Sequence, residues 1–312
     1  MSDVAWLFPG QGSQETGMGR DVAEAFPAAR AVFERADAIL GFPLSRLCFE
    51  GPDDTLRETE RQQPAIFVTS LAIFEAARSA GALPNAIFAA GHSLGEYSAL
   101  VAAGSLRFAD ALRLVRARGR YMQEAVPAGV GAMAALLKLP EGRLDAILAE
   151  AAQGEVVSAA NLNSPDQVVI AGHAGAVARA IELARAAGAR RAVPLPVSAP
   201  FHCALMEPAQ RRLKADLDAT EFRDLDIPLV NNWRAALVRT GREAREGLYQ
   251  QVPNPVRWVD SVRRLRELGA GLFIETGCGN VLTGLLRGID PAARGIQFGE
   301  AEDWEKLHAA MA

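Results

Sequence analysis

The sequence predicts an α/β fold in which a large domain with a parallel-sheet core carries a small inserted domain. Two short apolar runs, residues 4–8 and 86–90, end at proline or glycine and precede helical patterns, as expected for a parallel sheet. Residues 128–200 differ, because strand patterns outnumber helical ones there. We therefore expect a large domain of residues 1–127 and 201–312 and a small domain of residues 128–200.

The sequence predicts alternating strands and helices in the first half of the large domain. Residues 4–8 are apolar and stop at Pro9-Gly10, which predicts a strand with a sharp end. Residues 86–90 predict a second strand of the same kind. Helical periodicity predicts helices at about residues 20–40, 65–80, 96–103 and 108–124.

The small domain shows a different order of elements. Strand patterns occur at residues 131–137, 156–161, 167–171 and 191–195, with a turn at 163–166 and helices at 141–152 and 174–187. The resulting order, β-α-β-β-α-β, is that of the ferredoxin-like arrangement. A domain inserted in this way creates an interdomain cleft, where ligands often bind.

Composition excludes several classes of function. A net charge of −4 argues against nucleic acid as a partner. No apolar stretch approaches the roughly 20 residues that span a membrane, and the N-terminal residues do not resemble a signal peptide. The three cysteines are far apart and lack zinc-site spacing, so we expect reduced thiols, no metal site and a cytoplasmic location.

Residues 91–95, Gly-His-Ser-Leu-Gly, have the pattern of a nucleophile elbow. They lie between a predicted strand and a predicted helix, which is the context that this motif requires in α/β-hydrolase-like folds. Glycine permits the tight turn that lifts the serine hydroxyl clear of both elements. The pattern therefore predicts Ser93 as a nucleophile at the end of the sheet.

A serine nucleophile needs a base, and the sequence has four histidines. His92 is next to the nucleophile, so its side chain should project away from it. His173 lies between a strand and a helix, where capping or solvent contact is expected, and His308 lies in the C-terminal tail, where we expect exposure. His202, at the return to the large domain, is the remaining candidate base; the alternative is a histidine packed in the core.

Arg118 lies on the wrong face of its predicted helix. It shares a face with apolar residues such as Leu114 and Met122, whereas Arg113 and Arg116 belong to a solvated stripe. A guanidinium that faces a core must be paired. Two interpretations are open: a structural salt bridge, or a fork that binds a substrate carboxylate.

Several motifs together resemble those of malonyl-CoA:acyl carrier protein transacylases. The first four motifs in chain order are Phe8-Pro9-Gly10-Gln11-Gly12, the elbow with its continuation to Tyr97, the segment from Arg118 to Met122, and Asn161-Leu162-Asn163-Ser164-Pro165. They continue with Phe201-His202, Val230-Asn231-Asn232, Asn254-Pro255-Val256 and Glu275-Thr276-Gly277. The resemblance spans nearly the whole chain and implies a free-standing, monomeric enzyme.

The resemblance also implies a role for each matching residue. Ser93 would accept the malonyl group from malonyl-CoA and pass it to acyl carrier protein in a ping-pong transfer, with His202 as base. Backbone amides of Gln11 and Leu94 would form the oxyanion hole, and the Gln251 carbonyl would orient His202. Substrate-binding residues would be Arg118, Gln63, Phe201 and Asn163, and the acidic carrier would meet Arg190, Arg191 and Arg287.

Three details of these roles carry their own alternatives. Phe201 would crowd α-methyl branches on the acyl group. Gln63 is otherwise a helix-start glutamine, and the three arginines are otherwise ordinary surface charge. No permanently bound cofactor is implied, since the CoA thioester is a substrate.

Other functions remain open from the sequence alone. A serine thioesterase or other hydrolase would share the elbow and the base, but it usually adds an acidic residue that orients the histidine. A trans-acting acyltransferase of a polyketide synthase would use the same chemistry. A non-catalytic carrier-binding module would not need Ser93, His202 and Arg118 together.

Overall fold

The computed structural model describes residues 3–197, 199–304 and 307. The described residues contain ten strands: β1 (Asp3–Phe8), β2 (Phe88–Gly91), β3 (Gly131–Leu137), β4 (Val157–Ser164), β5 (Gln167–His173), β6 (Arg191–Pro194), β7 (Leu229–Val230), β8 (Leu237–Val238), β9 (Ala270–Thr276) and β10 (Arg294–Phe298).

Helices connect these strands and cover both sheets. In chain order they are α1 (Arg20–Ala25), α2 (Pro27–Leu40), α3 (Leu44–Glu50), α4 (Asp53–Leu56), α5 (Thr59–Ser79), α6 (Gly95–Ala102), α7 (Phe108–Glu124), α8 (Leu144–Ala152), α9 (Ala174–Ala186), α10 (Glu207–Ala219), α11 (Gly241–Gln251), α12 (Trp258–Glu267) and α13 (Val281–Ile289). None of these helices is long and apolar enough to cross a membrane.

The larger sheet has six strands in the order β10-β9-β1-β2-β7-β8. Its neighbouring strands are parallel, except that β8 is antiparallel to β7. The predicted α/β fold with a parallel-sheet core is therefore confirmed.

Both faces of this sheet are buried, as strand β1 shows. Its even-numbered residues, such as Trp6 and Phe8, belong to the core cluster that includes α2, α5 and α7. Its odd-numbered residues, Ala5 and Leu7, pack in a second cluster with α12 and α13. Burial on two faces explains why β1 reads as a continuous apolar run rather than an alternating one.

The smaller sheet has four antiparallel strands in the order β4-β5-β3-β6. One face packs against α8 and α9 through Leu136, Ile147 and Val177. The other face supplies Met133 and Val169 to the larger core cluster. Strand β4 also hydrogen-bonds to the main chain of Val256, so the smaller sheet is tied to the segment between α11 and α12.

Several predicted boundaries were wrong, for identifiable reasons. The helix predicted at 20–40 is two helices, since Pro27 disfavours a helical Phe26, whose φ is −122°. The helix predicted at 65–80 begins at Thr59, because burial of its first turns outweighs the presence of Pro64 inside it. Strand β4 runs to Ser164, so the predicted turn at 163–166 is shorter than expected.

Candidate active site

The turn at Ser93 is as tight as the sequence predicts. Ser93 has a φ of 52°, in the left-handed region, between the end of β2 and the start of α6. A Cβ at Gly91 would lie 2.0 Å from the Gly95 carbonyl, and one at Gly95 would lie 2.2 Å from the Phe8 carbonyl oxygen. Neither position tolerates a side chain without backbone movement, so the glycines are required by close packing.

Ser93 and His202 meet although 109 residues separate them. The Ser93 Oγ is 2.8 Å from the His202 Nε2, and the His202 Nδ1 is 3.0 Å from the main-chain oxygen of Gln251. Since a carbonyl can only accept, Nδ1–H donates to it and Nε2 is free to accept the serine proton. His202 has a φ of 58°, so both partners hold strained conformations of the kind that cluster at functional sites.

The environment of His202 keeps its imidazole neutral. Burial, and then the positive charge of Arg118, lower the pKa of His202 to about 3, although the Gln251 carbonyl acts in the opposite direction. The imidazole is therefore an unprotonated acceptor at neutral pH. The alternative of a histidine that merely fills the core does not account for its contact with Ser93.

The structure places Arg118 directly beside the nucleophile. Its side chain is completely buried, and Nη2 lies 3.0 Å from the Ser93 Oγ. The guanidinium also donates to the side-chain oxygens of Gln63, at 2.6 Å, and Gln251, at 3.0 Å. Among the described residues it forms no ion pair with a carboxylate, so the salt-bridge interpretation of Arg118 is wrong. A buried cation with neutral partners is a candidate site for an anionic group.

Gln63 lies inside α5, so the alternative interpretation of this residue as a helix-start glutamine is wrong. Its Nε2 donates to the Gln11 Oε1 at 3.3 Å, while its oxygen accepts from Arg118. Gln11 also donates to Gln62, which is buried on the same helix. Gln63 therefore holds the Nη1 end of the guanidinium and is itself held by Gln11.

The two candidate oxyanion donors lie on loops that pack against each other. Leu94 precedes the first residue of α6, where main-chain N–H groups have no helical acceptor. Gln11 follows Gly10, at which a Cβ would lie 2.4 Å from the His92 carbonyl oxygen. The loop after β1 therefore touches the elbow itself.

Two buried polar residues support the elbow, and residue-by-residue reasoning missed both. The Asn232 side chain accepts from the Ser93 N–H at 2.7 Å and donates to the Gly91 carbonyl at 2.7 Å. Glu96 accepts from the Asn232 N–H at 2.9 Å, and burial raises the pKa of Glu96 to about 7. In the sequence, Glu96 could have been recognised because it is a charged residue at the start of an otherwise apolar helix.

The other histidines have structural partners. The His92 Nε2 is 2.8 Å from the Asn163 Oδ1, which ties the elbow to strand β4. His173 accepts from the Val156 N–H through Nδ1 at 2.9 Å and makes no side-chain cap on α9. Its side chain is partly exposed, so of the two expected roles, capping and solvent contact, the structure shows the second. His308 lies outside the described residues.

A groove of about 620 Å³ lies between the smaller sheet and α13, and neither Ser93, His202 nor Arg118 lines it. Arg190 and Arg191 line it together with Lys138, and it reaches Ser164, which is next to Asn163. Arg287 is exposed on α13 but does not line this groove. Phe201 is buried and directly precedes His202.

The side chains brought together can carry out acyl transfer. Ser93 is a nucleophile with a neutral base, and Arg118 offers positive charge where an acyl group on Ser93 would lie. No group of three or more His, Cys, Asp and Glu side chains that could hold a metal ion occurs in the described part of the chain.

Comparison with known proteins agrees with this chemistry. Residues 5–289 match the acyl transferase domain family. The malonyl CoA-acyl carrier protein transacylase of Bacillus subtilis is 46% identical over 98% of this chain and 96% of its own length. That of Escherichia coli K12 is 47% identical over 93% of each chain.

Solved structures agree as well. The acyl carrier protein S-malonyltransferase of Vibrio cholerae has a TM-score of 0.95 and 44% identity, covering 98% of this chain and all of its own. A malonyl-transacylase solved in complex with a type II PKS acyl-carrier protein has a TM-score of 0.96 and 43% identity, covering 99% and 100%. The chain therefore belongs to the acyl transferase family and, within it, to the malonyl CoA-acyl carrier protein transacylases.

Proposed function

We propose that this enzyme transfers the malonyl group from malonyl-CoA to the phosphopantetheine thiol of acyl carrier protein through a malonyl-Ser93 intermediate. The observation that carries the proposal is the buried Arg118 guanidinium, which lies 3.0 Å from the nucleophile and forms no ion pair with any carboxylate that the structure describes. It supplies the positive charge that a malonyl carboxylate needs.

The first half-reaction loads the enzyme. The Ser93 oxygen attacks the thioester carbonyl while the His202 Nε2 takes its proton, and the main-chain N–H groups of Gln11 and Leu94 stabilise the oxyanion. As the carbon–sulfur bond breaks, His202 returns the proton to the departing CoA sulfur. Malonyl-Ser93 and free CoA result.

The second half-reaction is the reverse with a different thiol. His202 takes the proton of the carrier thiol, whose sulfur attacks the malonyl-Ser93 carbonyl. When the carbon–oxygen bond breaks, the proton returns to the Ser93 oxygen. A base that stays neutral at physiological pH suits both directions, because it must accept a proton before it donates one.

Selectivity for malonyl follows from the surroundings of the acyl group. Arg118 would bind the carboxylate bidentately, held in place by Gln63. An acetyl group would leave this cation without its partner, which disfavours it. We further propose that Phe201 crowds α-methyl branches on the acyl group. Asn163, which hydrogen-bonds to His92, is proposed to line the part of the cleft that binds the substrate.

The groove between the smaller sheet and α13 is the proposed docking surface for the carrier. Arg190 and Arg191 line it, and Arg287 lies nearby in sequence to its lining residue Gly288. We propose that these arginines receive an acidic carrier, since clustered positive charge accelerates association with an acidic partner. The enzyme is proposed to act as a monomer.

We infer that the larger sheet belongs to an α/β-hydrolase-like domain of residues 1–127 and 201–312, and the smaller to a ferredoxin-like domain of residues 128–200. The β-α-β-β-α-β order and the four-stranded antiparallel sheet support the second assignment. The elbow at the end of β2 supports the first.

The hydrolase alternative is less well supported by the site. An acidic residue usually orients the histidine of such hydrolases, whereas the Gln251 main-chain oxygen contacts His202 here. The decisive experiment measures malonyl transfer from malonyl-CoA to holo acyl carrier protein. We expect efficient transfer that Ser93→Ala abolishes; hydrolysis of malonyl-CoA without formation of malonyl-carrier would overturn the proposal.

A further inference from the structure

The side chain of Gln251 has contacts that its main-chain role does not require. Only its main-chain oxygen contacts His202, at 3.0 Å. The side-chain amide is completely buried, and its Oε1 accepts from the Arg118 Nη2 at 3.0 Å. The same amide therefore touches the cation proposed to bind the substrate carboxylate.

The other end of this amide contacts the elbow. Its Nε2 donates to the Ser93 main-chain oxygen at 3.0 Å and to the Glu96 Oε2 at 2.9 Å, and lies 3.3 Å from the Asn232 Oδ1. All three partners are acceptors, whereas the guanidinium on the opposite side offers only donors. The Gln251 side chain thus bridges the nucleophile's turn and the guanidinium.

Glu96 determines which way the amide points. Its carboxylate is almost completely buried and accepts from both the Asn232 N–H and the Gln251 Nε2. A reversed amide would place oxygen against the Glu96 carboxylate and NH₂ against the Arg118 donors, leaving buried groups on both sides unpaired. The carboxylate on α6 therefore aims a carbonyl at a guanidinium on α7.

We propose that the Gln251 side chain, oriented by Glu96, positions Arg118 and so sets the preference for acyl groups that end in a carboxylate. This inference rests on the proposed malonyl transfer. It separates two functions within one residue: the main chain of Gln251 orients the base, and its side chain orients the cation. Glu96 and Gln251 act through Arg118 and are positioning residues.

The separation makes the proposal testable, because a side-chain substitution leaves the main-chain oxygen in place. Gln251→Met keeps the length of the side chain and removes both ends of the amide. We expect the KM for malonyl-CoA to rise by about tenfold, the effect of losing one hydrogen bond to a charged group. Transfer of acetyl from acetyl-CoA, which does not use the cation, should change by less than about threefold.

The neighbouring residue gives a matched control. Gln250→Met makes the same substitution on the same helix, at a side chain that donates to Glu246 on the surface. It should leave the ratio of malonyl to acetyl transfer at the wild-type value. Glu96→Met, which keeps the length of the side chain and removes the oxygen that accepts from Gln251, should lower the ratio in the same direction by a smaller factor.

The outcomes distinguish this inference from the proposed function. A wild-type enzyme without malonyl transfer contradicts the function itself. If the wild-type enzyme prefers malonyl and Gln251→Met retains that preference, or loses both substrates equally with KM unchanged, the positioning role is wrong. Should Gln251→Met fail to fold, Glu96→Met decides alone: an unchanged ratio overturns the inference.

Discussion

Replacing Arg118 by alanine should remove most of the discrimination between malonyl and acetyl groups. A bidentate guanidinium–carboxylate pair contains two charge-assisted hydrogen bonds, each worth about 1.5–3 kcal/mol. Even the lower value gives a total of about 3 kcal/mol, or roughly a 100-fold loss of kcat/KM for malonyl-CoA. For acetyl-CoA the loss should stay within about tenfold, because the acetyl group makes no bond to the guanidinium and the reaction loses only the hydrogen bond from the Arg118 Nη2 to the Ser93 Oγ.

The assay measures transfer from both CoA thioesters to one holo carrier protein, with wild type and Arg118→Ala in parallel. Arg113→Ala is the control, since Arg113 lies on the same helix but pairs with Asp110 at the surface. Thermal unfolding tests whether the variant is destabilised, because the buried side-chain oxygens of Gln63 and Gln251 lose their donor when Arg118 is replaced. An equal loss for malonyl and acetyl in a folded variant would refute the carboxylate contact.

Three further predictions follow from the same geometry. Because burial and Arg118 depress the pKa of His202 to about 3, its neutral form persists below its ordinary pKa. With acetyl-CoA, kcat/KM should therefore stay level from about pH 5 to pH 8, and Arg118→Ala should move the acidic limb to higher pH. Gly95→Ala should slow acylation of Ser93 by at least about tenfold, measured by intact mass, because its Cβ would lie 2.2 Å from a carbonyl oxygen. Arg190→Ala should raise the KM for the carrier severalfold at low salt with kcat unchanged, and the difference should shrink as salt increases.

The elements that could be predicted from the sequence were those with strong local patterns. Strand β1 is a continuous apolar run, and the glycines of the elbow mark the turn at Ser93. The C-terminal third was harder, since β7 and β8 have two residues each, too few to show any periodicity. Strand β9 is the exception, because it carries an apolar run of the same kind as β1.

The candidate site likewise contains residues that local sequence patterns predict and residues that they do not. Arg118 was identifiable because one charged residue broke the apolar face of its own helix. Its neutral partners were not identifiable from spacing, because Gln63 and Gln251 lie 55 and 133 residues away and come together only when α5, α7 and α11 pack. The same holds for Asn232, whose contact with the Ser93 N–H spans 139 residues.

The most direct test of the account is the intact mass of the enzyme after brief exposure to malonyl-CoA. We expect one malonyl group on Ser93, absent in Ser93→Ala, which holo acyl carrier protein removes much faster than water does. The appearance of malonyl-carrier should match the loss of the adduct. Transfer that proceeds without any Ser93 adduct, or an adduct that water removes as fast as the carrier does, would contradict the account.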